Sequence, residues 1–116
     1  MSINLWAETI RKLNEHGKTW DDVRFVCGDD FSITKPNFET IARDTNYDGS
    51  YGYQIIASDL KIVGDHWWLE RQEYDGAEWW EYKEMPIYTE YKPIHNLCGD
   101  YSTVKECNEE NDNEEL

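Results

Sequence analysis

Aliphatic side chains, cations and cysteines are all scarce in this chain of 116 residues, and each shortage removes a class of protein. Cys27, Cys98 and Cys107 are too few and too irregularly spaced for a disulfide scaffold, so reduced thiols in a cytosolic setting are expected. No apolar run approaches the ~18 residues of a membrane span, and nothing at the start has the character of a signal peptide. The expected location is the cytoplasm. Lys and Arg number 11 against 25 Asp and Glu, a formal charge of −14. Non-specific attraction to DNA, RNA or an anionic membrane is disfavoured, because those surfaces are themselves negative. The complementary partner is a basic protein. Glycine-rich phosphate loops and dinucleotide fingerprints are missing too.

What the chain does have is aromatic rings, 15% of its residues, six of them tryptophan. A disordered chain of this charge is depleted in aromatics, whereas each buried Trp or Tyr removes about 150–250 Å² from water. A mean hydropathy of −0.89 is therefore compatible with a folded domain whose core is aromatic. Four tryptophans stand in two pairs, Trp67-Trp68 and Trp79-Trp80, on either side of Asp75-Gly76. Asp-Gly between alternating apolar positions is a hairpin signal. Strands are expected over 60–63, 67–73 and 78–83. Alternation places Trp67, Leu69 and Arg71 on one face and Trp68, Glu70 and Gln72 on the other. It likewise separates Trp80 and Tyr82 from Trp79, Glu81 and Lys83.

Upstream, Trp6, Ile10 and Leu13 follow helical spacing over 2–15, with Ser2 or Asn4 as cap and Gly17 as stop. A short strand is expected over 23–27. A second helix opens at Pro36, buries Phe38, Ile41 and Ala42, and ends near Thr45-Asn46. The segment 47–53 reads as a loop and 54–58 is ambiguous. Pro86 and Pro93 bracket 87–92, either an edge strand or an extended connection. The expected class is α+β, a small antiparallel sheet of three to five strands built on the Trp-rich hairpin and packed against two helices from the N-terminal half. The domain is expected to cover 1–104. Residues 105–116 set Lys105 against six acids (Glu106, Glu109, Glu110, Asp112, Glu114, Glu115) and read as a disordered tail.

Candidate sites follow from the same residues. The tryptophan pairs serve as core on one face and as shielding or partner anchors on the other, since Trp is enriched in interface hot spots. Acids expected on the hairpin surface are Asp65, Glu70, Glu73, Asp75, Glu78 and Glu81, with Trp68 and Trp79 as anchors. His95-x-x-Cys98, joined by Cys107 and Cys27, is a weak zinc candidate that lacks a second close-spaced pair. No cofactor is expected. No histidine neighbours a nucleophile in a catalytic pattern, and a carboxylate pair such as Glu70 and Glu81 is common among so many acids, so the chain is expected not to be an enzyme.

The amphipathic first helix, the stretch from Val23 to Ile33 (V-x-F-V-x-G-x-D-F-x-I) and above all Asp59 to Glu81 (D-L-x-I-V-G-x-x-W-W-L-E-R-x-E-Y-D-G-x-E-W-W-E) carry a resemblance. Over roughly residues 3–85 the chain resembles small acidic proteins encoded by bacteriophages and prophages. The resemblance implies a setting in which accessory proteins of this size inhibit host defence, anti-CRISPR proteins among them. The reading it favours is a non-enzymatic inhibitor of a basic nucleic-acid-handling protein, such as a CRISPR effector nuclease in the host cytoplasm, with carboxylates in place of phosphates. The alternative is a structural or regulatory accessory domain, homodimeric through its aromatic sheet or holding a structural zinc.

Overall fold

The computed structural model describes residues 2–49 and 52–109. They fall into two compact units, Met1–Pro86 and Ile87–Leu116. Every residue of the hydrophobic core lies in the first.

That unit opens with a two-residue strand, β1 (Ile3–Asn4), and α1 (Leu5–Glu15). Asn4 is the cap: its Oδ1 accepts the Ala7 N–H at 3.0 Å, while its Nδ2 donates to the Arg43 carbonyl. Gly17, at φ 70°, makes the left-handed exit after the helix. The buried stripe is Leu5, Thr9 and Leu13, with Trp6 and Ile10 partly covered beside it. Next come β2 (Phe25–Cys27), β3 (Ser32–Ile33), α2 (Lys35–Arg43), β4 (Asn46–Tyr47), β5 (Lys61–Val63), β6 (Trp67–Tyr74) and β7 (Ala77–Glu84). The main sheet has five strands in the order β3-β2-β5-β6-β7, all antiparallel, and β1 pairs with β4 in a second, small sheet. The class is α+β, with both helices in the N-terminal half.

The second helix differs from expectation on one side. Thr34 caps it and Pro36 sits in its first turn, but the buried residues are Phe38 and Ala42, and Ile41 is 60% exposed. The reason is Lys35. Its Nζ donates to the carbonyls of Trp20 and Val23 at 2.7 and 2.8 Å and lies 5.1 Å from the Trp20 ring. This anchors the 35/38/42 side of the helix inward and turns Ile41 out. Trp6, Trp20 and Phe38 pack ring on ring beside it, with centroids 4.9 to 6.5 Å apart.

The α+β unit ends at Pro86, not at residue 104. Within 87–109 no residue is buried, and 87–92 forms no strand. This second unit is held by polar contacts. The Asn108 Oδ1 accepts the N–H groups of His95 and Asn96, and its Nδ2 donates to the carbonyls of Asn96 and Val104. Glu106–Asn108 is a 3-10 turn, so 105–109 belongs to this clasp and not to a tail. The remainder of the expected tail, 110–116, lies outside the described residues.

Candidate functional site

The site is the hairpin, and its geometry follows from a two-residue turn. Asp75 and Gly76 both take positive φ, 50° and 89°, as a primed turn matched to strand twist requires. Such a turn sets Tyr74 opposite Ala77, and the register runs unbroken back to Trp67 opposite Glu84. Side chains then alternate between two very different environments.

The inner face carries Trp67, Leu69, Arg71, Glu78 and Trp80, all buried, with Tyr82 partly so. Trp80 donates from its Nε1 to the Thr9 hydroxyl at 3.0 Å, and that hydroxyl donates to the Leu5 carbonyl. A polar residue in the helix stripe thus satisfies the buried indole. Beside it lies an ionic network. Arg71 donates to Glu8 Oε2 at 3.1 Å, Glu78 Oε1 at 2.9 Å and the Tyr47 hydroxyl at 2.9 Å, with its guanidinium 4.8 Å from the Trp80 ring. Glu78 also accepts the backbone N–H groups of Ile55 and Ile56. Tyr47 donates to Glu8 at 2.6 Å. Burial, followed by the bond to Glu8, pushes the Tyr47 hydroxyl up to about 12. Burial works against the Arg71 charge, but Glu8, Tyr47 and Glu78 outweigh it and hold its pKa above the ordinary value.

Glu78 is therefore not a surface acid. Its side chain is fully buried and paired with Arg71. The physical reason was available in the alternation itself, because residue 78 shares a face with Trp80 and Tyr82. Without that placement a carboxylate beside two tryptophans reads as exposed. Sequence reasoning also missed Glu8 and Tyr47, whose partners lie 63 and 24 residues away.

The outer face aligns three rows across the strands. Phe25, Val63, Trp68 and Lys83 form the first, and Cys27, Lys61, Glu70 and Glu81 the second. Gln72 and Trp79 form the third. None of these residues is buried, and Phe25 and Trp79 are 41% and 38% exposed. Both outer indoles turn toward the central carboxylates. Trp68 Nε1 donates to Glu70 at 2.7 Å, Gln72 Nε2 donates to the other oxygen of Glu70 at 2.8 Å, and Trp79 Nε1 donates to Glu81 at 3.3 Å. The face is aromatic with mixed charge, Lys61 and Lys83 standing beside the two glutamates.

The structure brings together four of the eight expected surface residues: Trp68, Glu70, Trp79 and Glu81. Glu73 and Asp75 sit at the hairpin tip, where Glu73 accepts the Gly76 N–H. Asp65 is at the opposite end of β6, 3.9 Å from Arg24. Cys27 is on β2 of the first unit; in the second, Cys107 Sγ contacts the Asn96 and Val104 carbonyls, while His95 and Cys98 are exposed. Among the described residues no three His, Cys, Asp or Glu side chains are grouped to hold a metal, and no helix is long and apolar enough to cross a membrane.

No protein-family model, curated protein or solved structure matches the chain.

Proposed function

We propose that the chain is a non-enzymatic binding protein that docks a basic protein on the outer face of its sheet, in the manner of a phage-encoded inhibitor of a nucleic-acid-handling target. One observation carries this reading. Two partly exposed tryptophans on that face bracket a pair of glutamates, while the helices and core lie against the other face. Tryptophan in such a position supplies the desolvated anchor of an interface. The charge of −14 steers a cationic partner toward the protein and accelerates encounter more than it strengthens the final complex.

A CRISPR effector nuclease is the target class to test first. With a guide-loaded nuclease immobilised, the protein is expected to compete with target DNA and to bind no nucleic acid alone. Trp79→Ala should raise the dissociation rate, with a loss of ~2 kcal/mol or more if the ring is an anchor. Glu81→Lys should slow association in a salt-dependent manner. Direct binding of the purified protein to DNA, or competition indifferent to Trp68→Ala, Trp79→Ala and Glu81→Lys together, would overturn the proposal.

A further inference from the structure

We infer that Glu70 and Glu81, bracketed by Trp68 and Trp79, form a seat for an arginine side chain of the bound protein. This rests on the outer-face reading above and narrows it to one residue type. The strand geometry comes first. A two-residue turn makes Tyr74 and Ala77 a hydrogen-bonded pair, and at the far end the Met85 N–H donates to the His66 carbonyl at 2.7 Å. Hydrogen-bonded and non-bonded pairs alternate between those ends, so Glu70 and Glu81 are a hydrogen-bonded pair with Cα atoms about 5.5 Å apart. Their side chains leave the sheet on the same side, like charges directly opposite one another. Such a pair is unfavourable by itself.

Among the described residues, neither glutamate has a cation in ion-pair contact. Lys61, the register neighbour of Glu70, has its Nζ 3.9 Å from Asp29. What the two carboxylates do receive is one indole N–H each, plus the Gln72 amide on Glu70. These donors orient the carboxylates, and each carboxylate oxygen has the capacity to accept a further bond. A guanidinium suits that arrangement better than an ammonium. It offers five donors in a flat fork that can bridge two carboxylates, and it stacks on aromatic rings while shedding less hydration. Trp68 and Trp79 stand one row to either side, about 7 Å along the strands at ~3.3 Å per residue. A cation seated on the glutamates thus has an indole at each flank, near the range of a cation–π contact. Lys61 and Lys83 border the same rows and disfavour a second cation beside the first.

The test uses two probe peptides of equal length and charge, acetyl-(Gly-Ser-Arg)3-amide and acetyl-(Gly-Ser-Lys)3-amide, added to the isotope-labelled full chain. The arginine peptide is expected to move the Trp68 and Trp79 indole N–H resonances and to bind about tenfold or more tighter than the lysine peptide. The Trp6, Trp20, Trp67 and Trp80 indoles should stay in place and report an intact fold. Glu70→Gln with Glu81→Gln should abolish the shifts of the outer pair. Equal affinity for both peptides would overturn the arginine assignment and leave the docking face standing. Shifts that persist in the double glutamine variant would overturn the seat. If neither peptide moves Trp68 or Trp79, the inference and the docking face fall together.

Discussion

Replacing Glu78 by glutamine tests the boundary between the two faces of the hairpin. The carboxylate is fully buried, accepts from Arg71 at 2.9 Å and closes the Ile55 and Ile56 N–H groups. Glutamine keeps the size but has one acceptor oxygen where Glu78 has two. Arg71 and the Ile56 N–H share one oxygen and the Ile55 N–H takes the other, so in either orientation the glutamine NH2 group faces at least one of these donors, donor against donor. Removing one partner of a buried ion pair costs ~3–5 kcal/mol. Glu8 still neutralises Arg71 at 3.1 Å, so the lower end of that range, ~3 kcal/mol, is expected. Against the ~5–15 kcal/mol of a typical domain this is severe. At ~4–8 °C per kcal/mol, the melting temperature should fall by more than ~10 °C. Urea titrations followed by tryptophan fluorescence measure it directly. Glu81→Gln, three residues along and on the outer face, is the matched comparison and should stay within ~0.5 kcal/mol of the native chain. Equal losses in the two variants would refute the assignment of Glu78 to the core.

The raised Tyr47 pKa has a consequence above pH 10. The unfolded hydroxyl ionises near 10 while the folded one holds its proton up to about 12, so this contribution is complete below pH 10 and is lost as pH rises toward 12. The loss amounts to ~2–3 kcal/mol at 1.36 kcal/mol per unit, and Tyr47→Phe should flatten that part of the stability–pH curve; an unchanged slope would show that the hydroxyl is not shielded. Gly64→Ala should be among the most damaging single changes in the first unit, because a Cβ at that position runs into the Trp67 indole; calorimetry showing a native-like transition would refute the contact. Trp67→Ala and Trp80→Ala should each cost ~3–5 kcal/mol. Trp79→Ala should barely change stability, and the reverse order in chemical denaturation would mean that the inner and outer faces have been exchanged.

The hairpin, the presence of two helices and the fold class were legible in the linear sequence because they depend on local periodicity. Asp75-Gly76 admits the positive φ of a tight turn, and alternation from that turn puts Trp67 and Trp80 on one face and Trp68 and Trp79 on the other. Residue spacing also sufficed to find both helices, while the cap, open in sequence between Ser2 and Asn4, is Asn4. Tertiary structure decided the matters that depend on distant partners. Ile41 faces water because Lys35 is tied to the Trp20 and Val23 carbonyls, a contact no spacing rule contains. Alternation puts Glu78 on the face of Trp80, but a carboxylate is accommodated there only because Arg71, Ile55 and Ile56 converge on it as donors. Glu70 and Glu81, on the opposite parity, remain on the open face. Composition states how many charges a chain carries; only the folded arrangement of donors and acceptors determines which of them water keeps.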